Sequence, residues 1–306
     1  MALFRRGASR RGEPALVAVA RLAREALATR GVETVVEGAD DVETAVLRAA
    51  DGSVLPLYNI VRTCEDEPRR AWAGLVGEHV DRVIAGLRAA EPEDLPVDEL
   101  LTRIRTRLFS SADVDCPRPG DLSYARPFAE GLVTALCVDY PHTVTTISAE
   151  DLAKLPVPVE ELFAQGQRNT DAEPVDENAA LSVRVRILTG ESLFVAARAG
   201  NFRALLPEVG PADQGLLFSV PDRHTILYTV FDGVESIASV NALLRFTATF
   251  VNDPEMFHPG GVLSGDVYYW APDGRVERVG GLADDGHGLE LRVTGAFAEV
   301  FPAETR

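Results

Sequence analysis

Three cysteines and five histidines are the residues of this 306-residue chain best suited to nucleophilic or metal chemistry. Cys64, Cys116 and Cys137 are widely spaced and form no C-x-x-C pair, so neither a disulfide framework nor a zinc knuckle is expected. Cys137 precedes His142 by five residues. A thiol beside an imidazole is a nucleophile with its base, which makes this pair the nameable catalytic alternative. The plainer reading of Cys137 is a structural thiol within an apolar strand.

His258 lies in a run, 252–265, that packs aromatic, glycine and polar residues between a helical and a strand-like segment. Loops of this composition often bind, so Asn252, Asp253 and His258 are binding candidates. Asp253, Glu255 and His258 carry cation-ligating atoms, but no H-x-x-x-H spacing supports them, and a solvated loop or a core plug by Met256 and Phe257 is simpler. Arg168 and Asn169 close a helical pattern and form a second candidate pair, set against a plain C-cap by Asn169. His79 sits on an apolar helical stripe and reads as packing; His224 follows Asp222 at a strand start; His287 stands among Asp284, Asp285 and glycines, as in a turn.

Other signatures are missing from the sequence. Neither G-x-G-x-x-G nor G-x-x-x-x-G-K-[ST] occurs, and Lys154, the sole lysine, follows no glycine loop. Ser264 lies between Gly261 and Gly265 without the glycine offset of a nucleophile elbow. No metal and no cofactor is expected.

The charge narrows the partners. Thirty Lys+Arg stand against 47 Asp+Glu, a formal net charge of −17, and Arg5, Arg6, Arg10 and Arg11 concentrate positive charge in residues 1–12. The remaining body is more negative still and repels phosphate backbones, which argues against nucleic-acid binding and for a protein partner. The apolar run 15–20 is broken by Arg21, Arg24 and Glu25, too soon for a signal segment, and no stretch reaches the length of a membrane span. A reduced, cytoplasmic setting is expected.

These residues must be held by an α+β fold. A helix after Pro14 carries Leu16, Val19, Ala23 and Leu27 at helical spacing. Strands follow at 32–36, 42–47 and 54–60, with Asp51-Gly52 as a hairpin turn. Pro68 opens a helix striped by Trp72, Val76, Val80 and Leu87, and Leu100, Leu101, Ile104 and Leu108 suggest another. The order is α-β-β-β-α-α. The Pro- and Asp-rich stretch 111–127 reads as a linker, giving a tail at 1–12, an N-terminal domain at 13–110 and a C-terminal domain at 128–306.

In the second part, strands are expected at 132–139 and 143–147, and Ser148 caps a helix three residues before Asp151. A further helix at 159–167 and an acidic loop at 171–177 follow. Strands at 181–188, 193–197, 216–220 and 225–231, a short helix at Phe202, a long one through Ile237 and Val251, and strands near 267–270, 275–279 and 289–293 complete it. Grouped rather than alternating elements imply two domains with largely antiparallel sheets flanked by helices.

The phrases Thr145-Thr146-Ile147 into Asp151-Leu152, Phe163 to Asn169, Phe202-Arg203-Ala204-Leu205-Leu206, and Leu217-Phe218-Ser219-Val220-Pro221 into Thr225-Ile226-Leu227 resemble the YtpQ-like bacterial family, of unknown function. The likeness runs through 52–87 and 138–270 and implies fold and compartment without an activity. The N-terminal α-β-β-β-α order also resembles, more loosely, small acidic chaperones that cradle secretion substrates. A non-enzymatic protein-interaction or chaperone-like module is therefore the expectation, with a hydrolase using Cys137 and His142 as the alternative.

Overall fold

The computed structural model describes residues 13–50, 52–87, 89–114, 121–231, 236–253, 256, 258–283 and 288–301. The expected tail at 1–12, together with Asp51, Cys116, Glu255, Phe257, Asp284, Asp285 and His287, lies outside them. The fold is α+β with largely antiparallel sheets, and its two compact units are Met1–Arg88 and Ala89–Arg306.

The first unit runs α1 (Ala15–Ala28), β1 (Thr34–Glu37), β2 (Val46–Ala49), β3 (Val54–Pro56), α2 (Tyr58–Glu65) and α3 (Trp72–Leu87). β1, β2 and β3 form an antiparallel sheet in that order. Strand alternation puts Val36, Leu47 and Leu55 in one cross-strand row against the helices. Val19, Ala23 and Leu27 of α1, Ile60, Val61 and Cys64 of α2, and Val76 and Val80 of α3 complete this core. Each large side chain fully buried there contributes about 2 kcal/mol. The segment expected as a strand over 54–60 splits, because Leu57 turns the chain inward and Ile60, Val61 and Cys64 recur at helical spacing.

The second unit opens with α4 (Val97–Arg103), β4 (Ile104–Ser110), α5 (Ser111–Val114), β5 (Arg126–Ala129), β6 (Leu132–Tyr140), β7 (Thr143–Thr146), α6 (Ala149–Lys154) and α7 (Val159–Asp171). It continues with β8 (Glu177–Ala180), β9 (Arg186–Thr189), α8 (Phe202–Val209), β10 (Leu216–Ser219), β11 (Thr225–Val230), α9 (Ser236–Asn252), β12 (Val267–Trp270), β13 (Val276–Leu282), β14 (Leu289–Leu291) and α10 (Gly295–Val300). β4 pairs with β6 along one edge, while β5 and β7 pair with the two ends of β6. A seven-stranded antiparallel sheet has the order β14-β13-β12-β10-β11-β9-β8. Phe202, Phe218, Tyr228, Tyr268 and Trp270 fill one core on this sheet, and Leu217, Tyr269, Leu244 and Phe297 fill the other.

Three local expectations change. Ile104 and Leu108, read as a continuing helix, lie in β4, where Ile104, Thr106 and Leu108 share one packed face and Arg105, Arg107 and Phe109 the other, and a spacing of four fits either period. Because β4 pairs with β6 across the Pro-rich stretch, the compact units divide between Arg88 and Ala89 rather than within 111–127. Residues 193–197 form no strand: Phe194, Val195, Ala196 and Ala197 are all buried, a run that suits the tight helical turn at Ala196–Asn201. β9 instead pairs with β8, whose start was expected as loop.

Candidate functional site

The turn between β10 and β11 holds one half of a buried Asp–His pair of the second unit. β10 is buried at every position, and its chain enters the turn through Pro221 and Asp222. Asp222 is 3% exposed; its Oδ1 accepts the His224 backbone N–H at 3.0 Å, an Asx turn that fixes the bend. Its Oδ2 faces Nδ1 of His258 at 3.0 Å, and His258 is itself 5% exposed. The other ring nitrogen of His258 faces the Phe250 carbonyl at 3.0 Å, and the ring stands against that of Phe250 with centroids 5.2 Å apart. Both imidazole nitrogens therefore face acceptors: an imidazolium donates to both, a neutral ring to one. A general base needs a nitrogen turned to its substrate, and His258 has both turned to protein.

This geometry clamps the 252–265 loop onto the turn. Leu263 N–H donates to the Pro221 carbonyl at 2.8 Å, and Gly260, with φ of +77°, lies directly against the guanidinium of Arg223. His258, a candidate from the sequence, thus has an internal partner in Asp222, which sequence reasoning missed. Asn252 is exposed and its Nδ2 donates to the Ala248 carbonyl at 2.7 Å, within its own helix; Asp253 is half-buried. Among the described residues no three His, Cys, Asp or Glu side chains converge to hold a metal ion.

Arg168 and Asn169 divide in role. Arg168 is exposed and donates to Gln165 Oε1 at 2.6 Å. Asn169 Nδ2 donates to the carbonyls of Leu101 and Ile104 at 2.8 Å each, and its Oδ1 accepts from Gln165 at 2.7 Å. It is not the C-cap, since α7 runs to Asp171 and Ala172 caps it. Asn169 ties α7 to the α4–β4 junction. Nearby, Gly166 brings α7 against the β4 backbone, and Thr170 Oγ1 accepts the Thr106 N–H at 3.0 Å.

Cys137 and His142 are not brought together. Cys137 is wholly buried on β6, with its Sγ 3.7 Å from Thr146 Oγ1. His142 is exposed in the β6–β7 turn, beyond the Tyr140–Thr143 pair that closes the hairpin. Cys137 lies three strand positions before Tyr140, about 10 Å along the strand. Burial pushes its thiol up, opposed by the nearby Arg107 and Arg223. A thiolate nucleophile is disfavoured there.

Two further features lie outside the sequence-derived candidates. An open depression of about 510 Å³ is lined by Asp98, Glu99, Thr102, Arg103, Arg105 and Asp139. Its cations are engaged, Arg103 with Glu99 at 2.9 Å and Arg105 with Glu173 at 2.7 Å, while burial raises the Asp139 carboxyl. In the first unit, His79 lines a void of about 10 Å³ with Leu27, Leu47 and Val80, and burial lowers its ring. A void of that size holds at most about one water.

The outer face of the β1-β2-β3 sheet is exposed. Register aligns Val35, Arg48 and Val54 in one cross-strand row. Val35 is 65% exposed and Val54 38%. Arg48 donates both arms to Glu37, at 2.8 and 2.9 Å, so the charged pair on this face neutralises itself beside the valines. No family model, curated protein or solved structure matches the chain. Among the described residues no helix is long and apolar enough to cross a membrane.

Proposed function

We propose that the protein is a non-enzymatic, chaperone-like interaction module that binds another protein through the outer face of the β1-β2-β3 sheet. The observation that carries this reading is the row Val35–Arg48–Val54, in which apolar side chains stay in solvent on a sheet whose other face is packed. An exposed apolar row beside a self-neutralised ion pair favours burial against a partner's apolar surface. β1 and β3 are also sheet edges, open to an added strand. The acidic body disfavours nucleic acid as that partner, and the YtpQ-like resemblance adds a cytoplasmic setting to the proposal.

A photo-crosslinking residue at Val35, installed in the full chain in cells, tests the reading. A reproducible protein adduct that disappears on Val54→Glu is expected. Absence of an adduct across replicates, or an adduct indifferent to Val54→Glu, removes the sheet face as the binding surface.

A further inference from the structure

β14 is the last strand of the seven-stranded sheet, and among the described residues it pairs with β13 alone. Arg292 N–H donates to the Val279 carbonyl at 2.8 Å, and Ala283 N–H donates to the Gly288 carbonyl at 3.1 Å. In an antiparallel ladder, residues that bond to one neighbour alternate with residues whose N–H and C=O point away from it. Gly288, Glu290 and Arg292 therefore turn their backbone to β13, while Leu289, Leu291 and Val293 turn theirs to the outer edge. An edge of this kind accepts an antiparallel strand.

The two faces of this edge differ in chemistry. A Cβ on Gly280 would meet Leu244, so α9 lies over the face that Gly280 shares with its cross-strand neighbour Leu291 and with the pair Leu282 and Leu289. That cover ends before the edge, where Leu282, Leu289 and Leu291 stay 40%, 41% and 38% exposed. On the opposite face Glu290 Oε1 accepts from Arg278 at 2.6 Å and from Arg292 at 2.9 Å, and Arg292 also reaches Glu130 at 3.0 Å. The side chains of Glu290 and Arg292 remain partly exposed. Reversed about Leu291, the run Leu289-Glu290-Leu291-Arg292-Val293 sets apolar against apolar and acid against base.

We propose that β14 pairs antiparallel with β14 of a second copy of the chain, about a twofold axis at Leu291, so that the protein forms a homodimer through this edge. The register sets Leu291 against its own copy, Leu289 against Val293 of the second chain and Glu290 against Arg292 of the second chain, the last two pairs occurring twice by symmetry. All the residues whose backbone faces outward then face one another, as an antiparallel ladder requires. Moving the axis to Glu290 would set that carboxylate against itself, so charge selects the register. The edge belongs wholly to the second unit and is independent of the proposed sheet-face interaction.

Sedimentation equilibrium of the full chain at ~0.15 M salt tests it. A concentration-dependent dimer is expected, its Kd raised about tenfold or more by Leu291→Lys, which sets like charges on the axis, and by Arg292→Glu, which makes both cross-strand charge pairs repulsive. Val35→Glu should leave the dimer unchanged. In a Cys116→Ser chain, whose remaining native thiols are buried, oxidation should link Leu291→Cys into a covalent dimer and leave Leu289→Cys unlinked, because only residue 291 meets itself, with Cα atoms about 5.5 Å apart. A chain that stays monomeric up to about 100 μM, or a dimer indifferent to both charge variants, overturns the interface. Linkage through Leu289→Cys in place of Leu291→Cys overturns the register. If circular dichroism shows the charge variants unfolded, the Leu291→Cys linkage decides.

Discussion

Asp222 and His258, 36 residues apart in the chain, meet at 3.0 Å with both side chains buried. The pair joins the β10–β11 turn to the loop after α9, and the same carboxylate also holds the turn's own bend through His224 N–H. Asp222→Ala strands a backbone donor and an imidazole nitrogen at once. A loss of about 3 kcal/mol is expected, as for stranding two buried hydrogen-bonding groups, measured by urea unfolding. His258→Ala should cost a comparable amount and raise protease cleavage within 252–265. A loss below about 0.5 kcal/mol for both variants would contradict the clamp.

Arg168 and Asn169 are neighbours with opposite expected sensitivities. Asn169→Ala removes the donors to the Leu101 and Ile104 carbonyls and should cost about 2 kcal/mol. Arg168→Ala removes an exposed contact to Gln165 and should stay within about 0.5 kcal/mol of wild type. Parallel denaturation curves check the contrast.

Cys64 gives the first unit a pH dependence of definite sign. Its thiol is pushed from an ordinary value of 9.0 up to about 11 by burial. The unfolded chain therefore loses this proton first, and the stabilisation, complete below about pH 9, is lost as pH rises towards about 11. The contribution is about 2–3 kcal/mol, and Cys64→Ala should flatten that part of the alkaline decline in calorimetric unfolding. Cys137, also raised by burial, should resist iodoacetamide at neutral pH until the chain is unfolded.

The sheet face should separate binding from stability. Val35→Glu and Val54→Glu alter side chains already in solvent, so a thermal midpoint within a few degrees of wild type is expected together with loss of the crosslinked partner. Leu47→Ala, on the packed face of the same sheet, should instead lose about 3 kcal/mol in a denaturation measurement.

The elements legible in the sequence were those with one strong period or an unambiguous turn. Val19, Ala23 and Leu27 mark α1; Ser148 caps α6 by accepting Asp151 N–H at 3.1 Å; Gly52, with φ of +91°, turns between β2 and β3. Ile104 and Leu108 misled because four residues bring both a helix and a strand back to the same face, and pairing with Val138 and Thr134 chose the strand. The site was harder to read. His258 stands out by composition, but its partner Asp222 belongs to a different turn, and that pairing depends on how β10, β11 and α9 pack.

The register of β4 against β6 also orders events during synthesis. Seven consecutive positions of β4 find their partners only after residues 132–138 have been made, and α7, which covers the same strand, emerges later still. A nascent or truncated chain ending within 111–127 would hold Ile104, Thr106 and Leu108 on an open edge, the kind of surface that invites intermolecular strand pairing. Cleavage of the finished protein in that same stretch would leave both strands already zipped together. The vulnerability is therefore one of birth order: a chain stopped in the stretch that looks like a seam exposes a strand that the finished chain pairs.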